Sequence, residues 1–365
     1  MKKNVFFMLT LVFVLMLVFV SCEKKDDSVD PEPNPTSSCI TVKDLSAHFE
    51  GIKAIKFIND TEGWLVGANI GNLSKRTLLH TNDGGLNWTV INTDLKVNHV
   101  TSSVNEPFIK FYNSTDAYMI GEYNASTGGK ELKYTTNKGQ TWTIISNVGN
   151  WDAFDVNNTN AVFIGHDIYQ LDDALIIVSN SSHTVTQTVD LPSSIDFFVK
   201  NDMHLAENGT IITAVSRPNI SSSLYIAKSV NNGQDWVYTV IDLEYIDDIE
   251  FPTDNVGYIS GSVGFDGFLY KTTNGGDTWV KKSLPVLFDN IEFFDDQNGL
   301  GVIEGHIYKT TDGAENWTEM SCISSTDNNP NRGVAFVSLD KWYAIGSRWV
   351  SSESKTYSEF YIYEE

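Results

Sequence analysis

The chain has 365 residues, 41% of them apolar and 12% aromatic, ample for a sizeable core. Its 47 acidic residues against 25 basic ones give a formal charge of −22, which excludes a nucleic-acid binder and a surface drawn to anionic lipid head groups. The seven histidines are scattered and the three cysteines show no Cys-x-x-Cys spacing, so neither a metal site nor a cofactor is expected, and no phosphate loop or nucleophile elbow occurs.

The first element is not part of the fold. Met1-Lys2-Lys3 is a short positive region, and Val5 to Val20 is an almost unbroken apolar run that a polar segment follows at once. That pattern reads as a secretory signal peptide over 1–21 rather than a membrane span. It ends in "VFVSC", which resembles the lipobox of bacterial lipoproteins. The resemblance implies cleavage before Cys22 and a diacylglycerol on its thiol; an ordinary signal peptide with an incidental Cys is the alternative. Residues 22–38 hold charge and proline with no apolar anchor and read as a disordered tether. Acidic residues behind a lipidated Cys resemble the export signals of Bacteroidota-type surface lipoproteins. They imply an outer-membrane protein displayed on the cell, with a periplasm-facing anchor as the alternative, held to the membrane through the acyl chain only. Removing 1–21 takes away two lysines and no acid, which moves the charge from −22 to −24.

From residue 39 onward the chain repeats itself. Trp88, Trp142, Trp236, Trp279 and Trp317 each close an eight-letter box: TNDGGLNW, TTNKGQTW, SVNNGQDW, TTNGGDTW and TTDGAENW. The gap of 94 between the second and third is about two units, so one copy has decayed, near Ser179 to Thr184. A ladder of Phe57, Phe111, Phe154, Phe197, Phe251, Phe293 and Phe336, spaced 42 to 54 apart, counts seven units. Each unit reads as a short strand ending at the Phe ("AIKF", 54–57), a polar turn, a second strand ("GWLVG", 63–67), a variable loop, a third strand ("TLLHT", 77–81), the box, and a fourth strand. Four short strands repeated seven times predict an all-β, seven-bladed β-propeller over 39–365.

The boxes resemble the Asp-box, or BNR, motif of sialidase-like propellers. The phrase order around them, a Phe, then Gly-Trp or Gly-Tyr, then Lys-Thr-Thr-Asn-Gly-Gly and Trp, is closer to the photosystem II stability/assembly-factor type, a set of binding scaffolds. Their residues imply architecture rather than chemistry. Asp83 and Asp312 accept hydrogen bonds from turn amides, Asn137, Asn231 and Asn274 share that role, and the Trp packs between sheets.

The last unit shows three strands, "VAFVS" (334–338), "WYAIG" (342–346) and "EFYIY" (359–363), whereas "ITVKDL" (40–45) is a strand without a blade. The N-terminal strand is therefore expected to complete the last blade and close the ring, leaving no open sheet edge. That topology separates Cys39, entering a fourth strand, from Cys322, leaving one, by about 15 Å. Export permits a disulfide between them and the spacing opposes it, so the pairing stays open.

Loops between second and third strands, and between blades, share the face opposite the boxes, where ligands of propellers bind. All four arginines of the chain (Arg76, Arg217, Arg332 and Arg348) and the aromatics Tyr123, Phe265 and Trp349 fall in these loops. Arginine suits carboxylate or phosphate recognition and aromatics suit a sugar ring, so these seven are the ligand-face candidates. Scattered exposed side chains of no function are the plainer reading. Asp247 and Glu250 on the first strand of blade 5, with Asp248 beside them, and Glu292 on that of blade 6 are expected to line the central channel. A solvated acidic channel is again the plainer reading, and paired glycosidase carboxyls the sharper one. The Arg-Ile-Pro signature of sialidases is missing, with the one Arg-Pro at 217–218. The expectation is a monomeric, non-catalytic scaffold for a protein or glycan, with a glycoside hydrolase as the alternative.

Overall fold

The computed structural model describes residues 40–364 apart from 97–108, 125, 127, 147–148, 167–172, 194–202, 217–223, 289, 304–305, 321–332, 351–352 and 354, and without the side chains of 73, 74, 123, 166 and 349. The leader, Cys22, the tether, Cys39, Cys322, Arg217 and Arg332 lie outside the described residues. The first strand, β1 (Ile40–Asp44), stands apart from its sequence neighbours. Blade 1 is β2–β5 (Gly51–Phe57, Gly63–Asn69, Asn72–Thr81, Thr89–Leu95). Blade 2 is β6–β9 (Ile109–Phe111, Ala117–Asn124, Gly129–Thr135, Thr143–Ser146), and blade 3 is β10–β13 (Asn150–Val156, Asn160–His166, Asp173–Ser179, Val185–Asp190). Blade 4 is β14–β17 (Met203–Leu205, Ile211–Ser216, Leu224–Ser229, Val237–Ile241), and blade 5 is β18–β21 (Tyr245–Glu250, Gly257–Val263, Asp266–Thr272, Val280–Ser283). Blade 6 is β22–β25 (Asn290–Phe293, Gly299–Ile303, His306–Thr310, Thr318–Glu319). Blade 7 begins with β26–β28 (Gly333–Ser338, Lys341–Val350, Lys355–Glu364).

Each blade is an antiparallel four-stranded sheet, and the seventh has the order β1-β28-β27-β26. The seven-bladed propeller is thus closed by its N-terminal strand. β1 pairs with β28 from Ile40↔Tyr363 to Asp44↔Glu359, and Leu45 N–H donates to the Ser358 carbonyl at 2.8 Å beyond it.

The core consists of seven apolar layers, one between each pair of adjacent blades. Flat aromatic contacts bind neighbours: Phe57 stacks on Tyr343 of blade 7 at 4.0 Å, Phe111 on Trp64 of blade 1 at 4.0 Å, and Phe293 on Tyr258 of blade 5 at 3.6 Å. This explains the glycine opposite the Phe in the pattern. A Cβ on Gly63 would come within 2.6 Å of the Phe57 ring. The box tryptophans complete the layers, with Trp88, Trp279 and Trp317 edge-on to Phe57, Phe251 and Phe293.

Two rungs of the Phe ladder differ from the expectation. In blade 3 the position of the Phe is taken by Val156, opposite Ala161, and Phe154 packs instead on Phe163 of its own blade at 5.1 Å. In blade 4 it is taken by Leu205, opposite Ile211, and Phe197 lies outside the described residues. An aliphatic side chain fills the same layer, so the aromatic is dispensable there. The region 347–358 also differs. Residues 347–350 and 355–358 are strand rather than loop, because β27 and β28 continue pairing through Val350↔Lys355.

The seam makes a testable demand. A chain beginning at Cys39 is expected to unfold at the temperature of the longer protein, whereas one beginning at Ser46 loses the β1 ladder and buried Leu45. At about 1 kcal/mol per hydrogen bond and about 2 kcal/mol for the leucine, that loss rivals the net stability of a domain. Thermal unfolding followed by circular dichroism should show the second chain aggregated or unfolded, and equal melting of both would refute the closure.

Candidate functional site

The boxes come first, since they account for most of the motif residues. In blade 1 the Thr81 hydroxyl donates to Asp83 at 2.8 Å and accepts from Gly85 N–H at 3.0 Å, while Asp83 accepts from the Asn87 backbone and side-chain amides at 2.9 and 2.8 Å. Asn137, Asn231 and Asn274 accept the equivalent turn N–H at 2.9 to 3.0 Å through their carbonyl oxygens. The fifth box position needs the left-handed region: Gly139 has φ 87°, and Ala314 adopts φ 70° in its place. Four of the five boxes also reach the first turn of their own blade, as where Gly84 N–H donates to the Thr61 carbonyl at 2.8 Å. Trp142 and Trp236 donate back to the carbonyls of Gly139 and Gly233. The Thr or Ser hydroxyl and the Asp or Asn side chain of each box are thus used in folding the turn, whereas the indole N–H groups of Trp88, Trp279 and Trp317 are buried without a partner among the described residues. Blade 3 has no box, and His183 replaces it at φ 52°, stacking on Tyr134 at 4.1 Å.

The opposite face carries the second–third strand hairpins. Arg76 is a buried residue of β4, its Nη1 donating to the Lys75 carbonyl at 3.2 Å. Arg348, on β27, donates through Nε to Glu359 at 2.7 Å and lies over the Tyr357 ring. Both therefore have partners within their own blades. Phe265 is 100% exposed at the tip of the β19–β20 hairpin, where Gly264 N–H is held by Glu244 at 3.0 Å. Tyr123 pairs with Lys130 and Trp349 with Thr356 along the backbone.

Between the blades' first strands lies a cavity of about 330 Å³, bounded by all seven of them. Asp248, Glu250 and Glu292 line it; Asp247 does not, because a bulge between Ile246 and Asp248 makes it the extra residue. The register reveals a pattern that spacing arithmetic missed. One residue per blade sits opposite the second residue of the second strand, or the third in blades 3 and 7: Lys56, Lys110, Asp155, His204, Glu250, Glu292 and Ala335. The first six bound the cavity. Four of them stand directly before a Phe of the ladder, which was the available signal.

Three polar groups of this ring, Lys110, Asp155 and His204, gather around one carboxylate, that of Asp155. Lys110 Nζ binds Asp155 at 3.0 Å, and Asp155 also accepts from Leu205 N–H at 2.7 Å, with His204 Nδ1 at 3.8 Å. His204 lies flat on Phe251 at 4.3 Å. One layer along, Asn290 donates to Asp248 at 3.2 Å and accepts from Val334 N–H at 3.2 Å. Burial pushes the Glu292 carboxyl above the ordinary range, and the Lys56 charge opposes that rise. No cluster of three metal-ligating side chains occurs among the described residues.

No protein-family model matches the chain, and comparison with curated protein sequences returned no relative. Solved structures are similar in fold. YCF48 bound to a D1 peptide matches with TM-score 0.55 and 15% identity, over 92% of this chain and 98% of that one. YCF48 from Cyanidioschyzon merolae matches with TM-score 0.54 and 14% identity, over 91% and 97%. The GH74 enzyme of Niastella koreensis matches with TM-score 0.53 and 14% identity, over 84% of this chain and 52% of that one. At these identities the likeness establishes the β-propeller fold.

The boxes respond to acid. Backbone and side-chain amides of Asn87 lower the Asp83 carboxyl, and those of Asn316 hold Asp312 at about 2. A folded value below the unfolded one near about 4 means stability present at higher pH and lost as pH falls toward about 2. Replacing both with Asn, as three boxes already have, should flatten the urea-unfolding stability across that window. An unchanged slope would show that the box carboxylates do not contribute to acid sensitivity.

Proposed function

We propose that the protein is an exported propeller, anchored through a lipid on Cys22 at the outer membrane, that binds a protein or glycan partner without transforming it. The observation that carries this reading is the cavity of about 330 Å³, closed by seven strands and lined by groups of both charge signs. That size suits one side chain or one sugar ring held by charge and hydrogen bonds. YCF48, whose structure was solved with a D1 peptide, supports a protein partner for a propeller of this shape.

The topology also favours a display role. β1 runs from the box face, where Ile40 pairs with Tyr363, to the hairpin face, where Asp44 pairs with Glu359. The hairpin face carries Ile70 and Phe265 exposed at its tips, at the end of the propeller away from Ile40, and is the face offered to the partner in this reading.

A glycoside hydrolase is the second reading, and one observation favours it. Glu292, on β22, has a raised proton affinity, as a general acid needs, and Glu250 stands on the adjacent first strand. A screen on polysaccharides and chromogenic glycosides decides between the two. The expected result is no turnover by the purified chain; turnover that disappears in Glu250→Gln or Glu292→Gln would overturn the scaffold reading.

A further inference from the structure

The seven equivalent channel positions are not filled evenly. Six carry a charged or titratable side chain, and the seventh, Ala335 of blade 7, carries none. On the side away from this gap neighbours compensate one another, as the Lys110–Asp155–His204 contacts show. The residues flanking the gap are Glu292 of blade 6 and Lys56 of blade 1. Lys56 is close enough for its charge to act on Glu292. Even so, neither side chain has a hydrogen bond or ion pair with another described residue. The wall between them is Gly333 and Val334, and the Val334 N–H is already taken by Asn290.

A cation and an acid in one cavity, neither of them hydrogen-bonded or ion-paired to another described residue, fit a ligand that carries both charges in the opposite order. We propose that the channel binds a compact zwitterion of the free α-amino-acid class at the blade 7 gap, its carboxylate on Lys56 and its ammonium on Glu292. The proposal rests on the reading of the channel as a binding rather than a catalytic site. Both ends of such a ligand make charge-assisted hydrogen bonds, and a ligand with one charge leaves the other wall uncompensated where water is scarce. The raised proton affinity of Glu292 agrees with this arrangement. Its proton stands where the ammonium would be, beside Glu250 from blade 5, with Lys56 from blade 1 as the facing cation. Ala335 has the role of a gap-maker: it does not line the cavity, and a longer acidic side chain in its place is expected to extend into the gap and compete for Lys56.

Isothermal titration calorimetry on the full chain with the common free amino acids, and with propylamine and butyrate as singly charged analogues, tests it. At least one amino acid should bind about tenfold or more tightly than either analogue, the worth of one charge-assisted hydrogen bond. Lys56→Met and Glu292→Gln should each weaken it by about tenfold or more. Ala335→Glu should abolish binding while the thermal unfolding temperature is kept or raised. Two independent gap-flanking variants keep the test decisive if one of them does not fold. No heat with any amino acid would overturn the proposal, as would butyrate binding as tightly as the zwitterions, or binding that survives both variants. Because none of these outcomes involves turnover, they are distinguishable from a failure of the scaffold reading, which only glycoside cleavage would reveal.

Discussion

The β1–β28 ladder is the interaction on which the molecule turns, because it joins two ends of the chain more than 300 residues apart. A propeller blade cannot bury its own faces. Each apolar layer is shared by two blades, and the layer at the seam draws Leu45, Phe49 and Phe57 from one end of the chain and Tyr343, Ile345, Phe360 and Ile362 from the other. Polar contacts reinforce it: Ser358 N–H donates to Ser46 Oγ at 2.9 Å, and the Tyr343 hydroxyl donates to the Gly84 carbonyl at 3.1 Å. An open ring would leave that layer and two sheet edges in water. Closure is therefore a condition for the other six layers to hold their spacing.

Closure also creates the channel. Seven first strands brought round one axis present their equivalent side chains to one small volume, so a single register position becomes a ring. The positions that pack between blades stay apolar: the first-strand position is Phe in five blades and Val or Leu in the other two, and the box Trp recurs in five. The ring position does not repeat: it reads Lys, Lys, Asp, His, Glu, Glu, Ala around the axis. Packing demands the same shape seven times, whereas the channel imposes charge balance only on the ring as a whole. Diversification at such a position costs the fold little and makes the site.

The two faces divide the labour in the same way. On the box face, side chains and amides of the turn are tied into one pattern in five blades, with Asp or Asn interchangeable because both supply the accepting oxygen. On the hairpin face lengths differ from blade to blade. Blade 7 extends its second and third strands to ten residues each, and Arg348 and Glu359 pair on that extension. The sequence alternates too little there to announce a strand, and only cross-strand partners keep it extended.

Repeat period, blade count, box turns and the closing strand were legible in the chain itself. They rest on local rules (a left-handed turn position, an alternating strand, a strand left without a blade) that recur often enough to be counted. The carboxylates Glu250 and Glu292 were placed in the channel from the same periodicity. The substitution of Val156 and Leu205 for Phe was not legible, nor was the bulge that turns Asp247 aside and puts Asp248 on the cavity. What only the tertiary structure decided is which side chains meet. Lys56, Lys110, Asp155, His204, Glu250 and Glu292 come from six separate blades, and their ion pairs and their one gap exist only once closure brings those strands to a common axis. A charge has no partner in one dimension; its partner is chosen by distance in three.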